Sequence, residues 1–184
     1  MVLEHDRIHD VLVDMLKMIF PTAFIRVPDR DQSHEWWLQY SPDVRPDIVV
    51  LHFYGREKHA IIHVTVARHR SGSVVGAASR TPLHTASARE RAKNRMYRNV
   101  PTQHTFVPFI VEGSGALGRD AASFIERCSV LHRGALVQER DRSTWSARTF
   151  SPFWQQRLSV MQHSIIGLVG GITMRAAEDA YLHG

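Results

Sequence analysis

The stretch Asp47 to Ala67, DIVVLHFYGREKHAIIHVTVA, decides how the rest of the chain is read. Asp47 to Tyr54 and His59 to Ala67 are runs of β-branched and aromatic residues, and Gly55 to Lys58 between them has the composition of a turn. Two adjacent strands are expected. Side chains alternate along a strand, so in the second run Ala60, Ile62, Val64 and Val66 point one way while Ile61, His63 and Thr65 point the other.

Towards the N-terminus, Ile8, Val11, Leu12, Met15 and Ile19 recur at three-and-four spacing, which predicts an amphipathic helix over residues 3 to 19 that Pro21 stops. The short apolar run Ala23 to Val27 suits a strand, and Asp29 to Pro46 reads as an irregular loop or outer hairpin carrying Trp36, Trp37 and Tyr40. Towards the C-terminus, residues 68–82 are rich in Ser, Gly and Arg and are expected to form a mobile loop. Ala86 to Val100 follows as a helix with Arg89, Lys93, Met96, Tyr97 and Val100 on one stripe. Thr105 to Val111 suits a buried strand, although Pro108 within it implies an irregularity or a sheet edge. A Gly-rich turn, Glu112 to Gly118, leads to a helix from Arg119 to Leu131. A last helix is expected over about 152–167, with Phe153, Leu158, Met161 and Ile165 inward. The order is helix, three strands, helix, strand, helix, helix, without an internal repeat.

The 184 residues are 43% hydrophobic, enough for one domain spanning 1–184, since chains of this size bury roughly 70% of their unfolded surface. A net charge of +5 favours an anionic partner such as DNA or RNA. The single Cys128 excludes an internal disulfide and fits a reducing, intracellular compartment. Charges at Glu4, Asp6, Arg7, Asp10, Asp14 and Lys17 leave no signal-peptide core near the start. The apolar stretch Ser164 to Met174 is about half the length that spans a bilayer. No membrane association is expected.

Three stretches extending from residue 4 to residue 125 carry a family resemblance. They are EHDRIHDVLVDML at 4–16, RPDIVV at 45–50 with IIHVTVA at 61–67, and AKNRMY at 92–97 followed by HTFVPFIVEGSGALGRDAASFI at 104–125. Together they resemble the restriction-type endonuclease domain of non-LTR retrotransposons, a branch of the PD-(D/E)XK superfamily. The resemblance implies an α/β (α+β) PD-(D/E)XK nuclease-like fold, with a small mixed central sheet flanked by helices.

The chemistry of that family explains the residue types. A phosphodiester is cut by a metal-activated water, and the divalent ion needs hard oxygen ligands on rigid backbone. The resemblance implies Asp47 as a metal ligand at the start of one strand, with a second acid on the hairpin partner and a Lys two positions beyond it. This chain has His63 at the acid position and Thr65 at the Lys position. In the retrotransposon branch the Lys commonly moves to the following helix, and Lys93 matches that position, to activate water or stabilise the developing charge. Val27 stands before Pro28 where the family often has a further acid.

His63 decides what the site does. Neutral imidazole is a poor ligand for Mg²⁺ and an acceptable one for Mn²⁺, Zn²⁺ or Ni²⁺. The site is therefore inactive, changed in its metal, or rescued by another acid, for which Glu4, Asp43, Glu57 and Glu112 are available in the sequence. Inactivity is the simplest. Two functions follow: a non-catalytic, nucleic-acid-binding or structural subunit of a larger assembly such as a ribonucleoprotein, needing no cofactor, or an active endonuclease using Mg²⁺ or Mn²⁺ held by Asp47 and His63.

Arg68, Arg70, Arg89, Arg91, Arg95 and Arg98 form the densest basic stretch, where a nucleic-acid backbone could lie. The bland alternative is a solvated basic face. His5 and His9 stand four apart but lack the third ligand of a zinc site, so they read as a polar-face pair. GSGALG at 113–118 matches neither a dinucleotide fingerprint nor a P-loop and reads as a tight turn.

Overall fold

A computed structural model describes residues 2–28, 45–68, 81–132 and 149–162. In chain order the elements are α1 (Val2–Lys17), β1 (Ile25–Arg26), β2 (Ile48–Gly55), β3 (Lys58–Ala67), α2 (His84–Met96), β4 (Thr105–Glu112), α3 (Arg119–Leu131) and α4, residues 150–162. The order is the expected one. The strands form a mixed four-stranded sheet in the sequence β1-β2-β3-β4, antiparallel except for the parallel pair β3 and β4, and helices flank it.

The alternation along β3 sorts the two faces. Ile62 and Val64, with Ile48, Val50, Val107, Phe109 and Val111, join the main core against α1, α3 and α4. Ala67 and Ile110 pack on the other face against Ala86 of α2. In α1 the stripe Ile8, Val11, Leu12 and Met15 is buried as its spacing requires, and Val13 and Leu16 widen it. In α3 the buried residues Ala121, Phe124, Ile125 and Cys128 fall at the same helical spacing. Phe124 stacks on Phe53 of β2 with ring centroids 4.7 Å apart. Phe150, Phe153, Trp154 and Leu158 of α4 close this side.

Several boundaries differ from the sequence expectation for local reasons. The turn between β2 and β3 narrows to Arg56 and Glu57, and the ladder shifts register between Val50 and Gly55. There His52 adopts a left-handed φ of 59°. Its backbone N–H donates to His59 Nδ1 at 3.1 Å, and its own Nδ1 accepts from Glu57 N–H at 3.2 Å. Side chains substitute for ladder bonds, which is how a bulge is held. Only Ile25 and Arg26 of the run Ala23 to Val27 pair as a strand, since Thr22–Phe24 is a 3-10 turn. The helix expected from Ala86 begins at His84 and ends at Met96, leaving Val100 beyond it. Met96, on the same stripe as the buried Tyr97, is 52% exposed. His9, read as part of a polar-face pair, is buried.

Pro108 lies on β4, the terminal strand of the described sheet, where a missing N–H is tolerated. The 113–118 stretch is the expected tight turn: Gly115 has φ +80° and donates its N–H to Glu112 O at 2.8 Å. The last helix begins at 150 instead of 152, and its expected continuation to 167 lies outside the described residues. Residues 69–80 of the expected mobile loop also lie outside them, as do 29–44 with Trp36 and Trp37. Among the described residues no helix is long and apolar enough to cross a membrane.

Because Phe124 fills the space between β2 and α3, Phe124→Ala is expected to cost about 3–5 kcal/mol. Urea unfolding followed by circular dichroism checks it, through a lowered midpoint at unchanged slope.

Candidate functional site

Asp47 sits immediately before β2, and its N–H donates to Ile62 O at 2.9 Å. That bond places the aspartate one step from position 63 across the hairpin. Its Oδ2 accepts the Val64 N–H at 2.6 Å and lies 3.4 Å from His63 Nδ1. The alternation of β3 turns His63 towards α2, where Lys93 and Tyr97 stand one helical turn apart. Lys93 Nζ approaches His63 Nε2 at 2.6 Å, and Tyr97 Oη lies 3.1 Å from His63 Nδ1. Asp47, His63 and Lys93 thus come together.

The donor inventory sets the direction of these bonds. The Tyr97 hydroxyl donates to Arg45 O at 3.0 Å, so its oxygen is left to accept from His63 Nδ1–H. An ammonium has only donors, so Lys93 donates to the bare Nε2. His63 is then the neutral Nδ1–H tautomer, held between a carboxylate and an ammonium. Burial pushes its pKa down, the Asp47 charge pulls the other way, and the Lys93 charge lowers it further, with a net fall. Burial likewise lowers the Lys93 pKa, assisted by Arg89 and opposed by Asp47.

His5 belongs to the site although its sequence reading placed it elsewhere. The start of α1 brings His5 Nε2 within 3.4 Å of Asp47 Oδ1, while His5 Nδ1 lies 3.2 Å from Asp6 Oδ1. The hydrogen bond to Asp47 raises the His5 pKa to about 9 against the opposing effect of burial. Burial alone would raise the Asp47 pKa; the hydrogen bond from His5, its charge and the Val64 N–H pull the other way, and the carboxyl ends below its ordinary value. The sequence signal was the His-x-x-x-His spacing, which marks one helix face without saying what that face meets. Tyr97 was legible only as part of the α2 stripe.

Of the acids considered as replacements for position 63, Glu4 and Glu112 have other partners. Glu4 is buried and pairs with Arg68, with its second oxygen Oε2 buried and without a hydrogen-bond partner among the described residues. Glu112 accepts the Ala86 N–H at 2.9 Å near the start of α2, and Glu57 stands in the β2–β3 turn. Asp43 lies outside the described residues.

The residues present do not fit the hydrated Mg²⁺ that the resemblance implies. Among the described residues Asp47 is the one carboxylate touching His63, and its oxygens face His5, His63 and the Val64 N–H. Both His63 nitrogens are engaged, Nε2 by an ammonium standing where a cation would have to approach. A hard cation needs several oxygens and tolerates no such neighbour. Among the described residues, no group of three or more His, Cys, Asp or Glu is arranged to hold a metal ion.

Arg89, Arg91, Arg95 and Arg98 are exposed along α2 and just past its end. Arg91, Arg95 and Arg98 fall on one stripe, and Arg89 shares the Lys93 face. Arg68 is committed to Glu4, and Arg70 lies outside the described residues. A separate cleft between Tyr54, Phe106, Phe124 and Arg127 includes none of the residues around Asp47. Comparison of the chain with family models, with curated proteins and with solved structures gives no match.

The Asp47–His5 pair predicts a titration. His5 is expected to keep its proton until about pH 9, and Asp47→Asn to return the midpoint towards 6.5, read by NMR of the imidazole protons. Since the folded pKa is raised, the His5 contribution to stability is whole below pH 6.5 and is lost as pH rises through about 9.

Proposed function

We propose that this chain is a nucleic-acid-binding domain on a PD-(D/E)XK-type core, related to a retrotransposon-type endonuclease, in which metal-dependent hydrolysis has been lost. The observation that carries the reading is the 2.6 Å contact between Lys93 Nζ and His63 Nε2, next to Asp47. A lysine on the helix after the hairpin meets the position where such a nuclease carries its second acid, and that position offers an imidazole already bonded to the lysine.

Two further features support it. The helix, three strands, helix and strand from α1 to β4, with an antiparallel hairpin and a parallel β3–β4 pair, suit the arrangement the resemblance implies. Exposed Arg89 is presented beside the site, and Arg91, Arg95 and Arg98 give the outer side of α2 the charge that backbone contacts would require.

Binding of duplex DNA and of single-stranded RNA, followed by fluorescence anisotropy across a salt series, tests the reading. Replacing Arg91, Arg95 and Arg98 by Ala is expected to reduce the slope of log K against log salt by about 3, with the fold intact by circular dichroism. Salt-independent or absent binding to both overturns it. The loss of hydrolysis has its own check in nicking of supercoiled plasmid with Mg²⁺ and with Mn²⁺. The native chain is expected to leave the plasmid closed and His63→Asp to gain nicking. Cleavage by the native chain that disappears in Asp47→Ala would establish an active nuclease with an altered metal.

A further inference from the structure

We propose that Asp47, His63 and Lys93 form a metal-free carboxylate–imidazole–amine triad, whose amine attacks the sugar aldehyde of DNA that has lost a base and cleaves the strand there. This inference rests on the nucleic-acid-binding reading and gives its site a chemistry.

The geometry is sequential. Asp47 Oδ2 lies 3.4 Å from His63 Nδ1, and His63 Nε2 lies 2.6 Å from Lys93 Nζ. The carboxylate and the Tyr97 oxygen orient the imidazole with Nδ1–H inward, leaving Nε2 bare towards the amine. A nucleophile, a base hydrogen-bonded to it and a group that orients the base are the three parts of an activated-nucleophile site, with nitrogen here in place of oxygen. The ammonium already directs an N–H at Nε2. Transfer of that proton leaves a free amine and an imidazolium facing Asp47. Lys93 is half-buried and held, unlike Lys58, which is exposed in the turn region.

The nature of the nucleophile selects the substrate. Amines form imines with carbonyls, whereas the intact sugars of nucleic acid carry no free aldehyde and its phosphodiesters resist amines. A deoxyribose without its base opens to an aldehyde at C1′. Exposed Arg89 stands one turn from Lys93 on the same face of α2, so a phosphate held by it lies beside the amine.

The step balances without metal, oxidant or reductant. Lys93 Nζ adds to C1′, and the aldehyde oxygen departs as water, giving a protonated imine. His63 Nε2, returned to its neutral form by giving up the transferred proton with that water, removes a proton from C2′ beside the imine carbon. The C3′–O bond breaks, and the 3′ phosphate leaves with the electron pair. Water hydrolyses the unsaturated imine and restores the amine. Lys93 and His63 are the catalytic residues. Asp47, acting through His63, is a positioning residue.

The test uses the full chain in EDTA, a duplex oligonucleotide with a single abasic site, and sodium borohydride to reduce any imine. A covalent adduct mapped by peptide mass spectrometry to Lys93 is expected. Lys93→Arg is expected to lose the adduct while still binding the same duplex, and Lys58→Arg to keep it. His63→Gln is expected to slow strand scission about 100-fold with adduct still formed. Asp47→Asn is expected to lower kcat and to shift its pH profile, a shift that unfolding, which scales kcat down at every pH, would not produce. An adduct on Lys17, Lys58 or the terminal amine, or undiminished trapping in Lys93→Arg, overturns the triad. Tight binding of the duplex with no adduct overturns it while leaving the binding reading intact. Failure to bind nucleic acid of any kind removes both.

Discussion

One largely buried carboxylate organises this end of the molecule. Burying a charged aspartate is costly unless each oxygen finds a donor, and Asp47 finds them on two different elements. Val64 of β3 gives its backbone N–H, and α1 gives His5. The same group therefore fixes how α1 meets the hairpin and where His63 stands. That dependence makes it a structural residue as well as a chemical one: losing its side chain frees His5 and also leaves a backbone N–H of the central hairpin without its acceptor.

The charge balance around Asp47 explains why a histidine is tolerated at position 63. Two carboxylates this close repel, and a site built from them is at rest only with a cation between them. Here the cations come from the chain. His5 carries its proton well above neutral pH, and Lys93 points its ammonium at the site. A neutral imidazole between Asp47 and Lys93 lets the cluster balance itself. Such a cluster repels an incoming divalent ion, which is the electrostatic form of the misfit seen in the donor set.

What the sequence revealed depended on how local each cause is. The alternation of Ile61, Ile62, His63 and Val64 is a property of adjacent residues, and it separated the two faces of β3 correctly. Helical spacing likewise found the buried side of α1. The β2 bulge escaped because it depends on the imidazoles of His52 and His59 accepting backbone N–H groups, a choice no propensity records. His9 was misread because a histidine inside an apolar helix face can be buried as readily as a polar one can be solvated. At the site, Asp47 and His63 were legible through the hairpin register. The approach of Lys93 was expected from the family resemblance alone, and His5 needed the position of α1 against the sheet, which no spacing within α1 specifies.

The placement of Lys93 also bears on the basic helix. Arg89 and Lys93 occupy one face of α2, and the stripe Arg91, Arg95 and Arg98 lies on the opposite side. Had all five been solvated, α2 would be a featureless cationic surface, equally suited to any anion. Instead one cation is turned inward onto His63 while its neighbours stay exposed. The exposed arginines offer charge without chemistry, and the enclosed lysine has an imidazole beside it that can accept a proton. The division follows from geometry, because a helix beside a sheet can direct only one stripe of its side chains at the strands. Of the exposed arginines of α2, Arg89 shares the face of that lysine, so an anion held there lies next to the amine whose reactivity its neighbours alter.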